Sequence, residues 1–179
     1  MLGYADTNTA GMMAVVAGLI FAFSMLAAPR HGVVSRLIRR VGLRLAVLRE
    51  DVLGLLYRIE ELEQDRRLAA DERFIGGAVG AGMLCRVALR ALVRRGRIRR
   101  DPQGYHLTEA GRLEGRDLVR SHRLWETYLH RHLGLAADHV HPTAEKLEHI
   151  TDSTMRSRLS RGADEPTQDP QGRRIPPDA

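Results

Sequence analysis

At 179 residues the chain is long enough for one substantial domain and an appendage, and its 28% charged and 44% hydrophobic residues exclude a disordered polymer. The net charge of +6 is carried almost wholly by arginine, Lys146 being the only lysine, so polyanions are natural partners. The single cysteine, Cys85, excludes an internal disulfide and a thiolate metal cage; any metal must be held by oxygen and nitrogen, and the soluble part suits a reducing compartment.

From Thr7 to Pro29 no side chain is charged, and Ala10 to Ala28 approaches the ~20 apolar residues that cross a bilayer as a helix. A signal peptide carries its positive charge before the apolar run. Here Asp6 precedes it, and Arg30, Arg36, Arg39, Arg40 and Arg44 follow, so a transmembrane helix is expected, with the C-terminal domain in the cytoplasm. Ala14, Gly18 and Ala22 lie at helical spacing and form a small-residue strip that suits close helix approach as well as a plain apolar helix. The stretch Gly11 to Leu37, GMMAVVAGLIFAFSMLAAPRHGVVSRL, resembles the last membrane helix and exit of the permeases that import manganese, zinc or iron with an ATP-binding-cassette partner. APRHG, Ala28 to Gly32, is its most telling part. That resemblance implies a single-pass cell-membrane location and the other subunits of such a transporter as partners. The chain also reads as a piece of a longer or split permease.

Between Leu45 and Leu62, Val52, Leu55, Leu56, Ile59 and Leu62 recur at helical spacing, which predicts an amphipathic helix. The glycine-rich Phe74 to Gly82 is expected not to form a firm helix. Met83 to Arg95 reads as a helix stopped at Gly96 by a left-handed cap. Extended residues on either side of Asp101-Pro102-Gln103-Gly104 predict a hairpin, and Thr108 is placed to cap the next helix. Helix, stop, ribbon, helix is the order of a winged helix-turn-helix. Arg86, Arg90, Arg94 and Arg97 form a helical basic stripe, joined by Arg99 and Arg100 in the ribbon, that suits phosphates, whether of DNA or of anionic lipid. Gly80, Ala81, Gly82, Met83, Leu84 and Cys85 stand where polar side chains should read base edges, which argues against sequence-specific readout.

Glu145, Glu148 and His149 in AEKLEH share one helical face. His122 and Glu126, four apart, make a second such face; His141 adds an imidazole, and Asp51 a carboxylate from a separate element. Carboxylate and imidazole without thiolate suit Mn2+ or Fe2+, with Zn2+ possible. A zinc protease is the enzymatic alternative, but neither His-Glu-x-x-His nor His-x-x-Glu-His is present, and no catalysis is expected.

Leu107 to Pro176 resembles the diphtheria toxin repressor and manganese transport regulator family of metal-dependent repressors, through LTEAG, SHRLWETYL, HLGL, VHPTAEKLEH and DPQGRRIP in order. With the winged-helix region the match extends over Leu48 to Pro176. The resemblance implies metal ligands at Asp51, His122, Glu145, Glu148 and His149, and an ancillary site at Glu126 and His141. Glu145 stands where iron-type members carry cysteine, Gly54 where manganese-type members carry a further carboxylate, and Asp169 and Gln171 where many relatives show Cys and His. It also implies a homodimer, with Leu118, Val119, Trp125, Leu129 and Leu133 serving either the subunit contact or the internal core.

The expected fold is mainly α: residues 1–44 a transmembrane helix and basic juxtamembrane segment, 45–110 a winged-helix-like domain, 111–162 a metal-binding and dimerisation domain, and 163–179 a tail with little regular structure. Three functions follow: a metal-dependent repressor controlling uptake through DNA, a metal-sensing part of a transporter that does not touch DNA, or a metal-free membrane-tethered scaffold.

Overall fold

A computed structural model describes residues 9–28, 32–62 and 70–178. Asp6, Arg30 and most of the APRHG stretch therefore lie outside the described residues. The chain divides into two compact units, Met1–Arg44 and Leu45–Ala179.

In the first unit, α1 (Thr9–Ala27) has 19 residues, about 28 Å at 1.5 Å per residue, close to the hydrocarbon thickness of a bilayer. Its span Thr9–Leu26 has a mean hydropathy of 2.0 and buries none of its surface within the chain, so it is long and apolar enough to cross a membrane. The next helix, α2 (Val33–Leu62), begins twelve residues before the expected Leu45 and contributes to both units.

The second unit is built on the inward stripe of α2, where Leu48, Val52, Leu53, Leu56 and Ile59 are all buried. Against these residues pack Ile75 of α3 (Glu72–Ala78), then Cys85, Leu89 and Leu92 of α4 (Gly82–Arg94), and Ile98, Tyr105 and Leu107 of a two-stranded ribbon. The glycine-rich stretch does form a helix, contrary to expectation. Asp71 caps it by accepting the Phe74 N–H at 2.7 Å, and Ile75 is fully buried, which together offset the roughly 1 kcal/mol that each helical glycine costs.

Gly96 adopts φ +65° just past the end of α4, and the Arg97 N–H turns back to the Leu92 carbonyl. Strands β1 (Ile98–Asp101) and β2 (Gly104–Leu107) then pair antiparallel, with Ile98 opposite Leu107 and Asp101 opposite Gly104. Thr108 accepts the Gly111 N–H and starts α5 (Glu109–Leu133). Gly111 is required there, since a Cβ would stand 1.9 Å from the Arg97 carbonyl oxygen.

Helix α5 ends at left-handed Gly134 and packs against α6 (His141–Glu148) and α7 (Ser153–Gly162). Val119 and Leu129 are buried inside the chain, whereas Leu133 is largely exposed. The tail has more order than its composition suggests. Asp169 accepts the N–H groups of Gln171 and Arg173, Gln168 bridges to Arg174, and buried Ile175 packs with Leu124 and Leu159.

Candidate metal centre

Two groups of three metal-capable side chains converge among the described residues: His122, Glu126 and His141, and Asp51, Glu148 and His149. His122 and Glu126 are one turn apart on the buried face of α5, and His141 opens α6 above them. His122 Nε2 lies 3.1 Å from Glu126 Oε1 and 2.9 Å from His141 Nδ1, and His141 Nδ1 lies 2.9 Å from the same carboxylate oxygen. With metal–ligand bonds of about 2.1 Å at right angles, adjacent corners are ~3.0 Å apart, so this triangle of two nitrogens and an oxygen matches one face of a coordination shell.

The second group is more open. His149 Nε2 is 3.2 Å from Asp51 Oδ1 and 4.0 Å from Glu148 Oε1, so α2 and the end of α6 meet at this ring. Glu148 is buried, and its other oxygen accepts from His122 Nδ1, which links the two groups through one imidazole. Glu145 is exposed and belongs to neither group.

Three further residues enter this network that the helical spacing did not reveal. Glu50 accepts from His149 Nδ1 at 2.7 Å. Arg173, in the tail, donates to Glu126 Oε2 at 2.8 Å and to Asp169 at 2.7 Å. Arg123, 6% exposed, donates to Glu61 and to the Arg174 carbonyl, which pins the tail beside the site. Sequence patterning assigns the tail no such role, since no spacing rule names its partners.

The electrostatics follow from these contacts. Burial would raise the Glu126 pKa, but the hydrogen bond and charge of His122, then His141 and the Arg173 guanidinium, hold it at about 2. Burial disfavours a charged His122, yet its hydrogen bonds to Glu126 and Glu148 outweigh burial and raise its pKa above the ordinary histidine value. Hydrogen bonds to Asp51 and then Glu50 raise that of His149 to about 10. Carboxylates converging on imidazoles in this way make an environment that suits a divalent ion.

The arginines stand apart from this centre. Arg86, Arg90 and Arg94 are exposed along α4, with Arg86 bonded to Glu72 at 2.5 Å. Arg97 is half-buried against Glu114 at 2.7 Å, and Arg100 of the ribbon lies 5.6 Å over the Tyr105 ring, with Arg99 exposed beside it. At the start of α4, Met83 is 82% exposed and Leu84 38%, so the surface where a base-reading helix presents polar groups is apolar.

Residues 108–177 match the model of the iron dependent repressor family's metal binding and dimerisation domain. A solved structure of a manganese-dependent transcriptional repressor in complex with manganese is 30% identical, with a TM-score of 0.65 over 72% of this chain and 58% of that one. That of ScaR with bound Zn2+ is 29% identical, with a TM-score of 0.62 over 72% and 59%. A probable metal transport system membrane protein of Chlamydia pneumoniae is 29% identical over 147 residues, 78% of this chain and 32% of that protein. The chain thus spans about a third of that curated relative and under two thirds of the two solved structures. Residues 108–177 thus resemble the metal binding and dimerisation domain of the iron dependent repressor family.

Proposed function

We propose that the chain is a divalent-metal sensor of the repressor type, carried on a metal-transport membrane protein and acting on transport from the cytoplasmic side. The observation that carries this reading is the meeting of His149 and Glu148, at the end of α6, with Asp51 on α2. Ligands on two separately packed elements let an ion fix their relation, so metal affinity and conformation become coupled. The proposed ligands are Asp51, Glu148 and His149, with Glu145 one turn back on α6 as the solvent-side donor and His122 shared with an ancillary site at Glu126 and His141. Mn2+ or Fe2+ fits the oxygen and nitrogen donors best, and Zn2+ also fits. Bound there, the metal supplies positive charge and fixed geometry, not chemistry.

The apolar span of α1, the Chlamydia relative and the apolar start of α4 support output at the membrane. In this reading α1 spans the membrane once, residues 45–110 form the winged-helix domain, 111–162 the metal-binding and dimerisation domain of a homodimer, and 163–179 a strap over the ancillary site. Other subunits of a metal transporter are the expected partners.

A second reading, metal-dependent DNA binding that controls uptake, draws support from the exposed Arg86, Arg90 and Arg94 with Arg99 and Arg100 in the wing. Fluorescence anisotropy of the full chain in lipid nanodiscs, on DNA from upstream of its own gene with and without manganese, separates the two. Metal binding without DNA binding is expected. Tight, metal-dependent and sequence-selective binding would establish the second reading.

A further inference from the structure

We propose that Glu50 is a positioning residue for the metal centre, the outer carboxylate that holds the His149 ring and its proton so that Nε2 faces the ion. This inference rests on the proposed metal-binding reading and deepens it.

The ring of His149 lies between two consecutive carboxylates of α2. Its Nδ1 is 2.7 Å from Glu50 Oε2, and its Nε2 is 3.2 Å from Asp51 Oδ1. A neutral imidazole has one N–H and one lone pair, so a metal can take only one of these nitrogens while the other keeps its proton and needs an acceptor. The Nε2 side is the ligand side, because Asp51 and Glu148 converge on it. Nδ1 is therefore the protonated nitrogen, and Glu50 is its acceptor. A carboxylate on the far nitrogen of a metal-bound imidazole fixes the tautomer and ring orientation and makes the ring a better donor.

Geometry also says why Glu50 is no direct ligand, since it meets the ring edge turned away from Asp51 and Glu148. Nor does another carboxylate of α2 take its place. Position 54, one turn beyond Glu50, is Gly54, and a Cβ there would stand 3.0 Å from Leu118 Cδ2. On α2, Asp51 thus supplies the ligand oxygen and Glu50 works through His149.

The test uses the full chain in nanodiscs and compares wild type with Glu50→Ala, Glu50→Gln and Asp51→Ala. Co2+ titration reads affinity and the visible spectrum, and Zn2+, a diamagnetic probe, allows 15N NMR of the histidine rings. Glu50→Ala is expected to weaken metal binding roughly 10- to 100-fold. Glu50→Gln, whose amide oxygen still accepts the Nδ1 proton, should restore most of the affinity with an unchanged cobalt spectrum. In the zinc form, the Nδ1 proton of His149 should be protected in wild type and Glu50→Gln and exchange freely in Glu50→Ala. Unaltered affinity in Glu50→Ala would overturn the assignment. So would equal loss in Glu50→Gln with a changed cobalt spectrum, which would make Glu50 a direct ligand. A wild type that binds no metal would overturn the site itself and this role with it, whereas binding abolished in Asp51→Ala but kept in Glu50→Ala would remove only the role of Glu50. The metal-free melting temperatures show whether any variant has simply failed to fold.

Discussion

His122 on α5 donates through Nδ1 to Glu148 on α6 while its Nε2 faces Glu126 and His141, so one buried imidazole joins both metal-capable groups. Removing it leaves the buried Glu148 without this hydrogen bond, and such a group costs about 1–3 kcal/mol when orphaned, whereas Glu126 keeps His141 and Arg173. Coupling between the two groups through this ring is thus a property of the fold before any ion arrives.

Metal binding should stabilise the chain. At a hundredfold excess over Kd the gain is about 2.7 kcal/mol, or roughly 5–10 °C in melting temperature for a domain of this size. Differential scanning calorimetry with and without manganese should show this rise in wild type and none in a Glu148→Ala/His149→Ala variant. A rise of equal size in the variant would place the ion elsewhere, and no rise in wild type would favour the metal-free scaffold.

The sign of the pH dependence follows from His149, whose pKa of about 10 stands above the ordinary 6.5. In the metal-free chain its charged form contributes stability that is fully present below pH 6.5 and is lost as pH rises toward 10. A metal needs the neutral ring, so binding at neutral pH must expel a proton, and affinity should climb with pH across that window. Calorimetric titration in buffers of different ionisation enthalpy will detect the released proton. Affinity flat from pH 6.5 to 10 would count against His149 as a ligand.

Gly111 and Gly42 offer a paired test of packing. A Cβ at Gly111 would collide with the Arg97 carbonyl at 1.9 Å, whereas one at Gly42, within α2, meets nothing within 4 Å. Gly111→Ala should cost at least about 1–3 kcal/mol, and Gly42→Ala should gain up to roughly 1 kcal/mol from helix propensity. Denaturant melts of the metal-free chain measure both. Equal effects would mean that the α5 start does not approach the ribbon as described.

Where duplex DNA is bound at all, the apolar Met83 and Leu84 predict binding indifferent to sequence and carried by arginine–phosphate pairing. Arg90→Ala/Arg94→Ala should then weaken binding uniformly across duplexes and lower the salt slope by about one unit for each phosphate left without its arginine. Discrimination between operator and scrambled DNA that survives in this variant would contradict the reading.

Much of this was legible in the sequence where a local rule applied. The α2 stripe apart from Leu62, which is exposed, the Gly96 stop, the hairpin and the Thr108 cap each follow from spacing or from one residue's backbone preference. The fold's ligand groups are less local. Spacing places Glu145 beside His149 on one face, but the structure leaves Glu145 exposed and brings Asp51 in from another helix. Glu50 was missed because a helical face is counted in threes and fours, while the His149 ring lies across two consecutive residues. The order of α3 and the tail depends on Asp71 and Asp169, single carboxylates bonding backbone N–H groups, which composition cannot reveal.

The most direct test of the central claim is a manganese titration of the full chain in nanodiscs, following free Mn2+ by electron paramagnetic resonance, for wild type, Asp51→Ala and Glu148→Ala. The account predicts tight binding in wild type that each substitution, one on α2 and one on α6, weakens by more than tenfold. Binding that persists unchanged in either variant would contradict a metal centre shared between the two helices.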